Sequence, residues 1–323
     1  MITWAADWSQ ILNSSLLLFA IFALASLGGY LCNKAGIINI AIDGQMIFGA
    51  LVFCIFAQLL QPISNKTYII CILMSMIASL LLSWLYGFLL IKMKINHVIG
   101  GTVINLLMAG LGAFLTTPLG QALSNNTFQK LTPNYHFEYL ISGSFFGDSL
   151  IILTISLIIV FIIWFVFQKT SFGLRFNAVG ENPNAVDSQG LNVNKYKWIA
   201  IMISGVLTAI AGSLFAYGGS NVGGTSEFNG NVGGLGFIAL GIVIAGAWKI
   251  PLIVISSFIF AFLVRIFEND TIVSVIFNNS DLNGLKYLGK ALPFVLSLIT
   301  LAIFSRKSIE PKAIGQHFDK SLR

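Results

Sequence analysis

The chain alternates between long apolar runs and short polar breaks. A spanning helix needs about 20 consecutive apolar residues, and nine runs come near that length: 11–32, 37–60, 67–91, 97–117, 149–168, 198–217, 235–248, 251–267 and 288–304. The seventh is short and is expected to be broken or re-entrant; only Lys249, Ile250 and Pro251 part it from the eighth, a tight turn at most. The first run resembles a signal peptide at Ala23-Leu24-Ala25, but its leading residues MITWAADWSQ hold Asp7 and no Lys or Arg. A secretory signal carries a positive leading region, so this run is read as a retained helix. The pattern predicts an all-α polytopic membrane protein, with a transmembrane domain over 1–305 and a basic, partly disordered tail over 306–323.

One interior polar run ends in positive charge on both sides, Lys169–Lys197, KTSFGLRFNAVGENPNAVDSQGLNVNKYK. It spells out a short helix. Asn182 can accept a bond from an orphan N–H as an N-cap, and Pro183 sits at the first helical position, where a missing N–H costs nothing. Gly190 supplies a left-handed stop. About two turns remain, Pro183–Gln189, and an isolated helix that short is marginal in water. Such a helix persists either by lying on its own protein and the headgroups or by having something dock on it.

Composition settles the class. Of 323 residues, 56% are hydrophobic and 9% charged, with a mean hydropathy of +0.87. A soluble domain has roughly 25% charged residues, so a water-facing surface cannot be built from this chain. The net charge of +6 is explained by topology before polyanion binding, and no basic cluster interleaved with aromatics points to nucleic acid. With the amino terminus outside, thirteen of the 18 Lys and Arg residues fall on the inner side, including Lys34, Lys92, Lys94, Lys195 and Lys197. That bias is the one expected for cytoplasmic loops, and it places Lys169–Lys197 and the tail in the cytoplasm. Trp164, Trp198 and Trp248 fall at cytoplasmic ends, as belt residues do. The long polar stretch Pro118–Asp148 lies outside, either as a passive connector or as the receiver of a substrate-delivery protein. Cys32, Cys54 and Cys71 lack CxxC spacing and read as small buried hydrophobes. His97 starts a helix as a lone interfacial residue, and His136 and His317 are lone and exposed, without metal-like spacing.

Three membrane stretches carry polar or glycine signals. In Gly36–Gly44, GIINIAIDG, a carboxylate at Asp43 would cost about 2.5–3.5 kcal/mol at the bilayer centre. Either Asn39, Asp43 and Gly44 belong to a translocation path, or Asp43 sits near the inner headgroups beside Lys34. In Asn96–Gly112, Asn105 is an amide deep in an apolar helix, open to two roles: glue between helices or lining of the path. In Tyr217–Gly246, the glycine-rich part cannot be regular helix, and irregular backbone at membrane depth survives only beside protein or water. Gly205, Ala209 and Ser213, and Gly241 with Ala245, form small-residue packing faces.

The run AVGENPNAVDSQGLNVNKYKW resembles the cytoplasmic coupling loop of ABC-transporter permeases of the branched-chain amino acid, simple-sugar and nucleoside superfamily. Gly180, Glu181, Asn182, Pro183, Ala185 and Gly190 stand at the matching positions. The resemblance extends to Lys34–Met46, similar to SG-x-x-N-I-x-x-E-G-x-M, although Asp43 replaces the usual Glu and leaves that carboxylate's role open. It extends also to Gly101, Asn105, Leu106 and Leu107, and to Gly236–Leu240 with Gly246 in a GFIALA-x-x-I-F-G-like segment. It implies a bacterial plasma-membrane permease subunit without catalysis or cofactor of its own. ATP and Mg would belong to a partner ATPase seated on the coupling helix. The implied partners are that ATPase, a second permease, identical or related, and an extracytoplasmic substrate-binding lipoprotein, all among membrane lipids. The subgroup most like this chain carries nucleosides, with simple sugars as the alternative. Path residues under the resemblance are Asn39, Asp43, Gly44, Asn105, Gly236 and Phe237, the last able either to stack on a base or sugar or to serve packing alone.

Gly284–Ala291 nearly spells a P-loop, but Ala291 stands where Mg²⁺ needs a hydroxyl and Pro293 follows two residues on. The chain therefore does not hydrolyse ATP itself. An ion-driven secondary transporter would want intramembrane charge and broken helices in both halves, for which Asp43 alone is thin support. A membrane-embedded hydrolase lacks its catalytic set.

Overall fold

The computed structural model describes residues 2–60, 68–124, 145–219, 228–268, 295, 299 and 310–318. The ordered elements are helical: α1 (Ile2–Lys34), α2 (Ile42–Leu60), α3 (Tyr68–Gly87, running on into a π turn at Phe88–Lys92), α4 (His97–Ser124) and α5 (Phe145–Lys169). Then come α6 (Ser171–Glu181), α7 (Pro183–Ser188), α8 (Val193–Gly218), α9 (Leu235–Ala245) and α10 (Ile250–Glu268). Six helices among the described residues are long and apolar enough to cross a membrane.

α1 and α8 form the axis of the bundle. α8 packs on α1, α2 and α3, while α1 also meets α5, α9 and α10. The small-residue face of α8 makes these close approaches possible. Gly49 of α2 faces Ala209 so closely that a Cβ on it would lie 2.6 Å from the Ala209 Cα. Ser213 donates to Ala209 at 2.9 Å and pairs with Ser75 of α3 at 2.9 Å. α3, α4 and α5 line the outside, where Leu81, Leu106, Phe114 and Phe161 are exposed. In a bilayer those side chains face lipid.

Several boundaries move from the sequence expectation. The second span begins at Ile42, because α1 ends in a Schellman motif with Gly36 at φ +79°: Gly36 N–H donates to the Asn33 carbonyl and Ile37 N–H to that of Cys32. An irregular elbow, 35–41, follows. α4 runs through Pro118 to Ser124, so the connector expected from Pro118 to Asp148 has helical ends. A buried or membrane helix can absorb the missing proline N–H, and no charge stops it there. The seventh segment is the 11-residue α9, about 16 Å long at 1.5 Å per residue, roughly half a bilayer core. Trp248 is buried under the bundle, not in a lipid-facing belt, because the α9–α10 turn folds inward with Ala247 and Trp248 at φ +48° and +52°. The ninth expected span, the near-P-loop and most of the outer connector lie outside the described residues.

Candidate translocation site and coupling helices

The elbow brings five of the six expected path residues together. Asn39 is fully buried, and its amide oxygen accepts Ala41 N–H at 3.0 Å, turning the chain into α2. Its NH₂ group donates to Ser204 Oγ at 2.9 Å and to Gln45 Oε1 at 3.2 Å. Asn105 reaches across from α4 as a two-ended clamp, accepting Gly44 N–H at 2.8 Å and donating to the Ile40 carbonyl at 2.9 Å. Both are backbone groups that α2's first turn leaves without helical partners, and in this arrangement Asn105 holds two helices together.

Asp43 faces α9. Gly234 enters that helix at φ +75° and offers no side-chain cap. The Asp43 carboxylate takes the place of a cap, accepting Gly236 N–H at 3.0 Å, where the positive end of the helix favours an anion. Gly236 must lack a side chain, since an added Cβ would run into the Asp43 backbone. Two half-open helix starts, α2 and α9, thus meet at one buried carboxylate. Phe237 stands apart, with 46% of its surface exposed on the open side of α9.

Sequence reasoning missed Gln45, Ser204 and Thr208. Gln45 Oε1 also accepts the Thr208 hydroxyl at 3.2 Å, and its buried NH₂ group has no partner in the structure. A signal was present: Ser204 and Thr208 form a second row at four-residue spacing beside Gly205 and Ala209, and Gln45 follows Gly44 inside an apolar run.

At the other end of the elbow lie α6 and α7, the latter being the helix expected to serve coupling. α7 forms as its punctuation predicts: Asn182 Oδ1 accepts Ala185 N–H at 3.1 Å, and Gly190 has φ +78°. Glu181, Asn182, Asn184, Ala185 and Ser188 are exposed, and only Val186 is buried, in a small apolar knot with Val179 and Val193. α6 was not foreseen. Thr170 caps it by accepting Gly173 N–H, and Phe172 and Phe176 pack on Phe167, the rings of Phe167 and Phe176 being 4.8 Å apart. The aromatic i, i+4 pair was the available cue. Gly180 ends α6 against the Lys34 carbonyl, so closely that no side chain would fit.

The tail also differs from expectation. Residues 310–318 dock beside the elbow, and His317 is exposed but not lone: its ring meets that of His97 edge-on at 4.9 Å. His97 is buried and accepts Ile38 N–H at 3.2 Å. Partial burial, with Lys197 and Lys94 nearby, pulls the His317 pKa below its usual range, against the Leu90 carbonyl that favours its charged form. Among the described residues no cluster of His, Cys, Asp or Glu could hold a metal ion.

The family described as branched-chain amino acid transport system, permease component, matches residues 11–301. The chain belongs to this ABC-permease family. An uncharacterised protein of Mycoplasma genitalium, MG121, is 36% identical over 308 residues, 93% of this chain and 94% of its own. The nucleoside ABC transporter permease protein NupC of Lactococcus lactis is 29% identical over 97% of this chain and 98% of its own. The guanosine ABC transporter permease protein NupQ of Bacillus subtilis is 28% identical over 98% of each. No solved structure matches. This permease is accordingly a multi-pass protein of the bacterial plasma membrane.

Proposed function

We propose that this permease is the membrane-spanning half of an importer that moves nucleosides inward, powered by a separate ATPase seated on α7. The observation that carries the reading is α7 itself. It is a two-turn helix with complete caps and one buried side chain, presented to solvent and joined through Gly180 to the elbow that holds Asn39 and Asp43. A helix so short gains little by itself, so docking gives it a purpose. α7 lies on the cytoplasmic side, as the charge bias requires. Binding of nucleotide to the ATPase then favours one of two bundle states, and cargo with different affinity for those states is moved between them.

A neutral, hydroxyl-rich cargo suits the residues available. Asn39, Gln45, Ser204 and Thr208 supply amides and hydroxyls, and Gln45 keeps a donor unspent. Phe237 is exposed beside Gly236, placed to meet a base, a sugar or a second permease. The kinship with NupC and NupQ favours nucleosides over simple sugars. Delivery by an extracytoplasmic lipoprotein and pairing with a second permease complete the assembly.

Removing Asn182–Gly190, which spares Gly180, is expected to leave insertion intact and to abolish co-purification with the ATPase. Normal co-purification would refute the seat. Uptake of labelled guanosine is expected to stop when the ATPase is deleted; uptake that continues and follows the proton gradient would instead make the buried Asp43 the centre of an ion-coupled carrier.

A further inference from the structure

The carboxy-terminal segment 310–318 touches four separate elements within six residues. Ala313 is 5% exposed, and its N–H donates to the Gly180 carbonyl at 2.9 Å, at the end of α6. Two residues on, Gly315 N–H donates to the Gly36 carbonyl at 3.0 Å, on the elbow. The Gln316 carbonyl accepts from the ammonium of Lys197, a buried residue in the first turns of α8, at 3.0 Å. His317 then lies on His97 at the start of α4, and Phe318 packs on the valine knot that backs α7.

These contacts follow from local geometry. A 3₁₀-like turn at Pro311–Gly315 is closed by Ile314 N–H to the Pro311 carbonyl at 3.1 Å, and Gln316 N–H bonds the Ala313 carbonyl at 3.2 Å. Gly315 at φ +76° then turns the chain on towards Gln316 and His317. Gly36 is a residue whose missing side chain lets the segment approach: a Cβ on it would lie 3.1 Å from the Ala313 carbonyl oxygen and 3.6 Å from the Gly180 Cα. Buried amides seldom go unpaired, so a shift of α6 that carried the Gly180 carbonyl away would either break the Ala313 bond or drag the segment along.

We infer that residues 310–318 form a tie that passes movement of α6 and α7 to the elbow at 35–41 and so to Asp43 in the first turn of α2. Gly36 lies three residues before Asn39 and seven before Asp43, so the tie pulls on the strand that positions the Asn39–Ser204 and Asp43–Gly236 bonds. It acts as a positioning element alongside the direct packing of Gly180 on Lys34. The inference rests on the reading of α7 as the ATPase seat.

The test uses the complete complex with its ATPase and follows amide hydrogen exchange in two peptides, one over α7 and one over 36–46, with and without a non-hydrolysable ATP analogue. In the unaltered complex both peptides are expected to respond to nucleotide. Ala313→Asp places a carboxylate at a buried position whose N–H bonds the Gly180 carbonyl, and it is expected to free the tie. The α7 response then persists while the elbow response falls at least fivefold. Gly315→Val, at a half-buried turn whose φ of +76° disfavours a side chain, is expected to do the same to a smaller degree, and it carries the test if A313D does not insert. An elbow response undiminished in both variants overturns the tie, as does loss of the ATPase from the purified variant complexes, which would make the segment part of the seat. Absence of any α7 response in the unaltered complex would refute the seat instead, which keeps the two failures apart.

Discussion

The elbow around Asn39 and the small helix around Val186 are both short departures from the spanning helices, and they are held in opposite ways. At the elbow, Asn105 of α4 meets Gly44 N–H and the Ile40 carbonyl, Asp43 meets the Gly236 N–H that α9 leaves open, and Ser204 of α8 holds the Asn39 side chain, all buried. At α7, the caps are local, the side chains are wet, and one valine attaches the helix to its support. An unpaired polar group in an apolar interior costs far more than one at a surface. The elbow therefore has few alternative arrangements, each sharply separated in energy, whereas α7 can adapt to whatever it meets. The first behaves as a latch and the second as a handle.

That contrast can be broken by substitution, with effects that should diminish from the elbow outward. Gly236→Val should be the most damaging: its side chain has no place beside Asp43, and we expect a loss of about 3 kcal/mol, the upper range for overpacking a close-packed interior. Thermal unfolding of the detergent-solubilised permease measures it, and a variant as stable as the parent would disprove the close approach of α2 and α9. Asn105→Ala strips partners from both Gly44 N–H and the Ile40 carbonyl. About 2 kcal/mol is expected, in the same assay; a loss near zero would mean that water replaces the amide and that the clamp is no latch. Asn182→Ala removes only a local cap, worth about 1 kcal/mol. It should speed exchange of the α7 amides and leave the unfolding midpoint of the bundle unchanged, and a lowered midpoint would show α7 to be part of the core.

The smallest effect expected is one of pH. His317 faces the His97 ring, Lys94, Lys197 and the Leu90 carbonyl. Its docked pKa is lowered, so the docked segment binds fewer protons than the freed one. Stability of docking is complete above the ordinary histidine value of about 6.5 and declines as pH falls below it towards the lowered value. Exchange of the Ala313 and Gly315 amides, corrected for intrinsic rates, should rise between pH 7.5 and 5.5, and His317→Gln should flatten the rise. A parent protein showing no rise would mean that the charged ring is accommodated where it lies.

Where local chemistry is self-sufficient, the chain announced its structure. The Asn182–Pro183…Gly190 punctuation yields α7 within a residue, and the small face of α8 packs as its spacing demands. The brevity of the seventh segment becomes the half-length α9. The elbow was harder to read, because Gly36–Ala41 is as apolar as the helices on either side and hydropathy continues across it. Only the Schellman end of α1 and the Asn39 turn reveal the break, and both need coordinates. α6 hid within a polar run whose aromatic pair signals a helix only once Phe167 is seen beside it.

By itself the sequence determined that this protein lives in a membrane, roughly where six of its long apolar helices lie, and that a capped peptide waits between two of them, since composition, run length and capping are properties of neighbouring residues. Only the tertiary structure decided that Asp43 caps α9, that Asn105 clamps the elbow, and that residues 310–318 return to bind Gly36 and Gly180. Each of those joins a donor to an acceptor far along the chain, and an unpaired amide or carboxylate carries no mark in the sequence of the partner that will satisfy it.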